Sequence, residues 1–466
     1  MIEDQGAPLS DDIGLFVHTT ESSGTAYYAV TTVIDESENT TIIIGQNSDS
    51  VQEFAGTPQP VLTGGGGNGR LYTHYMDYQN WNPTLNGYAF NYYVARPFNY
   101  NPSQSYPLQV ELHAFGALPG IPAEVPFQAQ NIQLIPIDPG EGEGTYHTWW
   151  YGHARDHDYQ RDGDIPAGGA IENFTQQRVM KAIQETIDNP DFNIDSNLIH
   201  AYGNSMGASG SVSFGLHYPS VFSAIYASQP MMNYATSERF RSHFDRLFGS
   251  QNDNLPIVNG GLFSESIQRY GEGGNQPTGV WDWMNHFAQV RRRIGDNFAF
   301  LTMDFGKADT TIDWQTQGRP AFAALRDGKV AYTATAQAGV DHMWMGFGAA
   351  NRNLFEFIEG DWNYSNTTSF PALLNASGSG RIDPPTSGDD NYQTTLEWAV
   401  PHYAFGETIV DQQNEYRITL RSLSVTQTVD VTPRNTRQFR PSPGSCLLYT
   451  SPSPRDQRGS RMPSSA

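Results

Sequence analysis

The sequence predicts an α/β protein in which a domain with a mostly parallel sheet is flanked by two partial β-sandwich modules. The central prediction rests on residues 70–365, where apolar strand-like segments alternate with segments of helical periodicity, the pattern of consecutive βαβ units. The flanking modules are predicted from segments in which apolar and polar residues alternate with period two. A hydrophobic content of 38% indicates that the chain folds, because disordered chains lack the apolar surface that offsets chain entropy.

The first and last parts of the chain carry strand signals. Near the N-terminus, "IGLFVHTT", "TAYYAVTTVI" and "TTIIIG" predict strands, and "GTAYYAVTTV" resembles the central strand of fibronectin type III modules. Near the C-terminus, "TTLEWAV", "EYRITLRSL" and "QTVDVTPR" do the same. The run "GGGGNG" and the Gly/Ser/Pro-rich residues 370–390 indicate flexible joints. The predicted units are a partial fibronectin type III-like β-sandwich (1–62), a Gly-rich linker (63–69), the α/β domain (70–365), a linker (366–390), a partial C-terminal β-sandwich (391–445) and a non-biological tail (446–466).

The α/β domain can be followed segment by segment. "AFNYYVARP" and "LQVELHAFG" predict strands, and "ENFTQQRVMKAIQETI" predicts a helix over 172–187, stopped by Asn-Pro. "NLIHAYG" predicts the next strand, residues 208–217 a helix, and "VFSAIYASQP" a further strand. This order implies a sheet whose strands are joined by helical crossovers.

The two ends of the sequence need separate treatment. "CLLYTSPSPRD", residues 446–456, resembles a reading frame of a sequencing adapter, so we regard residues 446–466, including the single cysteine Cys446, as an artefact. The N-terminal "MIEDQGAPLSDD" lacks the basic and apolar regions of a signal peptide. We expect a secreted protein whose signal peptide was lost by truncation.

The net charge of −22 limits the expected partners. It comes from 49 acidic against 27 basic residues, and a field of this sign repels nucleic acid and anionic lipid. No run of 18 apolar residues suggests a membrane span. We therefore expect neither nucleic acid nor membrane as a partner, and the sequence gives no indication of the oligomeric state.

The stretch "LIHAYGNSMGASG" places Ser205 in a G-x-S-x-G motif between a predicted strand and a predicted helix. This is the setting of a nucleophile elbow, in which glycines flank the serine because a Cβ would clash in so sharp a turn. The Met206 N–H at the start of the helix is then placed to stabilise an oxyanion. We expect Ser205 to be a nucleophile.

A nucleophilic serine needs a histidine base oriented by a carboxylate, and in this architecture the chain order is Ser, acid, His. His342 in "AGVDHMWMGF" is the expected base, since the rival His286 precedes the acid strand and lies in an apparent helix. Asp309 in "GKADTTID" is the favoured acid because it lies just beyond its strand. The alternatives are Asp313, one turn later, and Asp304, within the strand.

The segments "VELHAFG", "GNSMGASG", "FGKADTTIDW" and "DHMWMGF" resemble the secreted α/β-hydrolase esterases grouped with polyhydroxybutyrate depolymerases and feruloyl esterases, over roughly residues 70–360. The resemblance implies an α/β-hydrolase domain, ester hydrolysis without a cofactor, and the Phe115 N–H as second oxyanion donor. Those relatives commonly carry His-Gly where this chain has His113 and Ala114, and Gly-Gly where it has Gly207 and Ala208.

Three tryptophans are candidate substrate-binding residues. Trp149 and Trp150 in "YHTWWYGHARDHDYQRDGD" offer an aromatic wall for a sugar, an aryl ester or a polymer strand, with core packing as the alternative, and Trp344 follows the candidate base. In the same segment His153 and His157 are four residues apart, as in some metal sites. Because no further ligand is marked, we expect a polar loop and no metal.

The remaining open points concern the substrate and one long connection. Residues 231–284 exceed a simple α/β connection and predict either a lid or a surface insertion. The flanking modules suggest that the substrate is a polymeric ester. The sequence does not distinguish between plant polysaccharide esters, aliphatic polyesters and aromatic polyesters. The alternatives are a prolyl-oligopeptidase-type peptidase, whose β-propeller repeat is missing from the sequence, and an inert adhesion or carbohydrate-binding protein.

Overall fold

The computed structural model describes most of the chain. It covers residues 20, 22–55, 59–75, 89–117, 130–138, 146–159, 164–258, 278–343, 364–379, 387–399, 406–423 and 426–442, with the backbone of 3–4 and 7–8. The predicted tail at 446–466 lies outside the described residues.

A ten-stranded sheet forms the centre of the molecule. Its strands are β1 (Val61–Gly66), β2 (Gly69–Tyr75), β3 (Ala89–Ala95), β4 (Tyr106–Leu112), β5 (Ile132–Pro136), β6 (Ile194–Asn204), β7 (Ala224–Ser228), β8 (Phe300–Gly306), β9 (Tyr332–Gln337) and β10 (Asp390–Tyr392). Their spatial order is β1-β2-β3-β5-β4-β6-β7-β8-β9-β10. Strands β4 to β9 run parallel, and antiparallel pairs close both edges. The single exchange of β4 and β5, together with a strand–serine–helix turn after β6, is the α/β-hydrolase fold, which confirms the predicted fold class.

The central strands read as continuous apolar runs because both faces of the sheet are covered. β7 and β8 are buried along their whole length, as expected for parallel strands between helical layers. The α-helices of the described residues are α1 (Phe174–Asp188), α2 (Met206–His217), α3 (Arg241–Phe248), α4 (Val280–Trp283), α5 (His286–Arg292) and α6 (Arg319–Asp327). Helix α2 is entirely buried and packs on β6 and β7, which brings its N-terminus to the carboxyl end of β6.

The glycine-rich run predicted as a flexible linker at 63–69 is instead a hairpin of the main sheet. β1 pairs with β2, with Gly66 opposite Gly69. Gly65 has φ +130°, and a Cβ there would lie 2.5 Å from the Gly69 carbonyl oxygen. The glycines thus allow close backbone approach in the hairpin.

The described part of the N-terminal module contains ribbons instead of a packed sandwich. Gly24–Ala29 pairs with Ser48–Glu53, and Thr32–Ile34 pairs with Ser37–Asn39. Large apolar side chains on these ribbons are solvent-exposed, including Tyr27 at 82%. The predicted β-sandwich over 1–62 is therefore not formed among the described residues, and its last two residues belong to β1.

The predicted linker 366–390 contains the strand Phe370–Leu374 and ends at the first residue of β10, which moves the boundary of the C-terminal module. Phe370–Leu374 pairs with Asp430–Arg434, and β10 extends the main sheet at β9. The module docks on the α/β domain: the Phe370 ring contacts Phe300, and the Arg434 guanidinium donates to the Gly328 carbonyl. Two further ribbons are Leu396–Trp398 with Leu420–Ser422 and Val410–Gln412 with Glu415–Arg417.

The long connection at 231–284 is described for residues 231–258 and 278–284. It includes the 3-10 turn Tyr234–Thr236 and helices α3 and α4. Phe244, Leu247 and Phe248 of α3 are completely buried. This part is an insertion that belongs to the domain core. No helix among the described residues is both long and apolar enough to cross a membrane.

Candidate active site

Ser205 occupies a strained turn between β6 and α2. Its φ of +57° with ψ −117° lies in a region that residues with a side chain rarely adopt. A Cβ at Gly203 would lie 2.6 Å from the Leu112 carbonyl oxygen, and one at Gly207 only 1.9 Å from it. The two glycines of the motif therefore let the elbow pack directly against the end of β4.

Three hydrogen bonds hold this turn. The Ser205 N–H donates to the Ser228 carbonyl at 2.9 Å, which ties the elbow to the end of β7. The Ser205 carbonyl accepts from the Ser209 N–H at 2.9 Å and from the Ser209 hydroxyl at 2.7 Å. Because neighbouring groups fix the turn, the strain can be maintained in the folded state.

Ser205, His342 and Asp309 lie in line although they are far apart in sequence. The His342 Nε2 is 2.9 Å from the Ser205 Oγ, and the His342 Nδ1 is 2.7 Å from the Asp309 Oδ2. The Asp309 side chain is buried and that of His342 is 20% exposed. The second carboxylate oxygen of Asp309 accepts from the N–H groups of Thr311 and Ile312 at 2.7 and 3.0 Å. This arrangement can deprotonate a serine and stabilise the imidazolium that results.

The rival acids and base are engaged elsewhere. His286 is buried in α5, where its Nε2 lies 3.0 Å from the Ser213 hydroxyl. Asp304 lies within β8 and accepts hydrogen bonds from Tyr226 and Ser228 of β7. Asp313 caps the π-helical turn Trp314–Gly318 by accepting from the Thr316 N–H at 2.9 Å. Among these candidates the structure brings only Asp309 and His342 to the serine.

The predicted oxyanion donors lie on the expected elements. Met206 is the first residue of α2, so its N–H has no partner within the helix. Phe115 lies in the turn after β4, where the Gly116 N–H donates to the His147 Nε2 at 3.0 Å and the Ala117 N–H to the Ala114 carbonyl at 3.2 Å. Among the described residues no acceptor is found for the Phe115 N–H. Its role stays a prediction.

Buried histidines shape this turn. His113 Nε2 accepts from the Asp138 N–H at 3.0 Å, and its Nδ1 donates to the Ala114 carbonyl at 2.9 Å. Burial lowers the pKa of His113, which keeps the ring neutral and able to accept. The Ala114 departure from the relatives' glycine is tolerated because the residue with positive φ in this turn is Gly116, at +71°.

The predicted aromatic wall is part of the core. Trp149 and Trp150 are completely buried, which corrects their assignment as substrate-binding residues. The Trp150 indole donates to the His113 carbonyl at 3.2 Å, and its backbone N–H, with that of Thr148, donates to the Asp138 carboxylate. Both tryptophans have positive φ, at 53° and 61°, and no pattern in the sequence predicts this backbone conformation. Trp344 lies outside the described residues.

Of the predicted histidine pair, both rings are buried and His153 packs against aromatic side chains. The His153 ring lies 4.4 Å from that of Tyr159 and 4.9 Å from that of Phe174, and its Nδ1 contacts the Ala154 carbonyl. Burial lowers the pKa of His153 to about 4. Within the described ranges no cluster of three or more His, Cys, Asp or Glu side chains is arranged to hold a metal ion.

Two residues that hold segments around the site could not be identified from the sequence. Asp138 anchors the segment that carries the two tryptophans, and Gln229 contacts the loop that carries His342. The available signal was weak: each is a polar residue at or just beyond the carboxyl end of a buried strand.

Comparison with known proteins gives remote similarity only. No protein-family model matches the chain, and no curated protein matches it. An S-formylglutathione hydrolase from Agrobacterium tumefaciens aligns with a TM-score of 0.42 and 13% identity over 62% of this chain and 92% of its own. An acetyl xylan esterase from Paenibacillus sp. R4 aligns with a TM-score of 0.41 and 16% identity over 65% of this chain and 88% of its own. A putative dipeptidyl aminopeptidase IV from Bacteroides ovatus aligns with a TM-score of 0.39 and 15% identity over 59% of this chain and 33% of its own. The fold assignment rests on the chain's own strand order and elbow, and such remote similarity carries no function.

Proposed function

We propose that this protein is a serine esterase that hydrolyses carboxylic esters through an acyl-enzyme on Ser205. The observation that carries the proposal is the hydrogen-bonded line from the Ser205 Oγ through His342 to Asp309, at 2.9 and 2.7 Å. This geometry suits nucleophilic attack on a carbonyl with proton transfer to the histidine.

The reaction has two halves. In the first, the Ser205 Oγ attacks the ester carbonyl while His342 Nε2 takes the hydroxyl proton, and the carbonyl electron pair moves to oxygen to give a tetrahedral oxyanion. Collapse of this species breaks the bond to the alkoxy group, which leaves as an alcohol with the proton from His342. In the second half, His342 takes a proton from water, which attacks the acyl carbon and gives a second tetrahedral oxyanion. Collapse of this species breaks the bond between the acyl carbon and the Ser205 Oγ, which regains its proton from His342 as the carboxylic acid leaves. Asp309 holds the imidazole in the required tautomer throughout.

The N–H groups of Met206 and Phe115 are our candidates for binding the oxyanion. Two such donors stabilise charge that develops only in the transition state, which makes them catalytic instead of merely binding groups. The Phe115 ring is 45% exposed and contacts the rings of His147 and Phe240, so an apolar surface adjoins the donor turn. This surface favours esters with an apolar group beside the carbonyl.

We extend the proposal to a polymeric ester substrate and to a secreted protein. Its support is the set of sequence segments resembling secreted esterases and the C-terminal module, which docks on the α/β domain through Phe370 and Arg434. A docked module of this kind can present the domain to an extended substrate.

The test compares wild type with Ser205→Ala on p-nitrophenyl esters, methyl ferulate, acetylated xylan, polyester films and a proline p-nitroanilide. We expect ester turnover in the wild type and a loss of on the order of 10³-fold or more in the variant, because only the nucleophile is removed. Circular dichroism and Tm should change little. Wild type that cleaves the anilide and no ester, or a variant with undiminished turnover, would contradict the proposal.

A further inference from the structure

Gln229 lies directly after β7, fully buried, and contacts the loop that carries His342. Its amide Nε2 donates to the Asp341 carbonyl at 3.0 Å, and its Oε1 accepts from the Met343 N–H at 3.1 Å. Its own backbone N–H donates to the Asp304 carbonyl of β8 at 2.8 Å. One side chain therefore bonds the peptide groups on both sides of the candidate base.

The backbone of Gln229 is held in an uncommon conformation that directs this amide. Its φ is +57°, which residues with a side chain adopt rarely and at a cost of order 1–3 kcal/mol. Strain of this kind persists where the surroundings enforce it and where it serves to orient a group. Here it is enforced by the bond to β8 on one side and the two bonds to the His342 loop on the other.

Among the described residues, the other contacts that fix the loop lie mainly before the histidine. The Ala308 N–H donates to the Val340 carbonyl at 2.9 Å, and a Cβ at Gly306 would lie 2.4 Å from that same oxygen. Beyond His342, the described contacts to Met343 come from Gln229 and from the Asn204 amide at the outer limit of 3.5 Å. Gln229 is thus the main described group that sets the direction of the chain as it leaves His342.

We propose that Gln229 is a positioning residue for the reaction, which holds His342 between Ser205 and Asp309. This inference rests on the proposed function. A glutamine suits the task because its amide is at once donor and acceptor and brings no charge beside an imidazole that becomes charged during turnover. It touches no reacting atom, so its effect is on kcat through geometry: displacement by about 1 Å can cost on the order of 10²-fold.

The main test is Gln229→Met, which keeps the volume and removes both hydrogen bonds. Gln289→Met is the matched control, since Gln289 is equally buried and its amide bonds His217 and the Trp283 carbonyl, away from the His342 loop. We expect Gln229→Met to lower kcat by on the order of 10²-fold with KM within about twofold. Gln289→Met should lower Tm and leave kcat per folded molecule unchanged. Equal losses of kcat in both variants, or a kcat in Gln229→Met close to wild type, would overturn the proposal.

A spectroscopic measurement separates this inference from the esterase proposal. The proton shared by His342 Nδ1 and Asp309 should give a downfield proton resonance in histidine-labelled wild type, and Gln229→Met should shift or abolish it whatever the substrate is. An unchanged resonance would overturn the positioning role even in an active esterase. If Gln229→Met does not fold, Gln229→Glu retains the volume and the acceptor for Met343. It should lower kcat by at least about tenfold, and an unchanged kcat would overturn the proposal.

Discussion

Ser205 combines a strained backbone with a hydroxyl group that faces a histidine. Its positive φ lifts the hydroxyl above the sheet edge, where the His342 Nε2 meets it at 2.9 Å. The Asp309 carboxylate is committed on both oxygens, one to His342 and the other to the N–H groups of Thr311 and Ile312. Those two N–H bonds fix the direction of the carboxylate, which in the proposed mechanism orients the histidine.

The acid assignment can be tested by comparing two aspartates four residues apart. Asp309→Asn should fold normally and slow turnover by on the order of 10⁴-fold, because an amide favours the wrong histidine tautomer. Asp313→Asn should leave turnover within a few-fold, because Asp313 only caps the following turn. Steady-state kinetics on one activated ester would check both. A crippled Asp313→Asn beside a mild Asp309→Asn would mean that the acid is misassigned.

At the residue scale the sequence predicts what is local and misses what depends on distant partners. The candidate triad of Ser205, Asp309 and His342 could be proposed from the sequence, because the motif around the serine and the chain order of the three residues follow from the topology. Gln229 was not, because its partners Asp341 and Met343 lie 112 and 114 residues away. The burial of Trp149 and Trp150 depends on conformations supported by the Asp138 carboxylate, which no periodicity encodes.

At the element scale, the approach of α2 to β4 determines the height of the elbow above the sheet. The sequence predicted a helix over 172–187 from its apolar spacing, and the structure has α1 at Phe174–Asp188. It did not predict the β1–β2 hairpin, because glycine supports both a flexible joint and close strand pairing, and only the neighbouring strand β3 decides between them. Strand Phe370–Leu374 was not predicted either, because it is followed by a Gly/Ser/Pro-rich segment and its partner strand is about 60 residues further on.

Gly207→Ala tests the contact between α2 and β4. Alanine favours a helix by about 1 kcal/mol over glycine, yet its Cβ would lie 1.9 Å from the Leu112 carbonyl oxygen, a backbone atom that cannot rotate away. Overpacking of this kind costs about 1–3 kcal/mol or more, so the destabilisation by the clash should exceed the gain in helix propensity. We expect a Tm lower by roughly 5 °C or more, together with reduced turnover, measured by calorimetry and ester hydrolysis.

Gly295→Ala is the control for this prediction. Gly295 lies in an exposed turn, its φ is not positive, and an added Cβ would meet no atom within 4 Å. Its Tm should stay within about 2 °C of wild type, because such a substitution mainly restricts the unfolded chain. A Gly207→Ala protein as stable and active as Gly295→Ala would show that α2 can move away from β4 without cost.

At the scale of the whole molecule, the many buried histidines connect stability to pH. Burial is the largest cause that lowers the pKa of seven of them in the folded state, to about 3 or 4 in five cases. They are His74, His113, His153, His200, His217, His243 and His286. Between pH 6.5 and these values the unfolded chain binds more protons than the folded one, so stability falls as pH falls.

Two opposing effects are present. Burial raises the pKa of Glu185 to about 7 and also raises the pKa of Glu111, Glu172 and Asp245, so protonation of these carboxyl groups stabilises the folded state as pH falls. Acidification also reduces the self-repulsion of a chain with net charge −22. Each histidine contributes about 1.4 kcal/mol per pH unit over the range in which only the unfolded chain binds its proton, and seven histidines outnumber four carboxyl groups. The histidines should therefore dominate below about pH 6.

We expect the free energy of unfolding to fall steeply from pH 6.5 toward pH 4.5 and the protein to unfold in acid, measured by denaturant titration at constant ionic strength. The matched variant is His200→Gln, whose amide can still donate to the Tyr364 carbonyl that the His200 Nε2 now contacts at 3.2 Å. The variant lacks a group that binds a proton in the unfolded chain but not in the folded protein. Its free energy of unfolding relative to wild type should therefore rise by about 1.4 kcal/mol for each pH unit below pH 6.5. Stability that holds or rises between pH 6.5 and 4.5, or a His200→Gln difference that does not depend on pH, would mean that these histidines become charged within the folded protein, and the packing around them would then have to admit water.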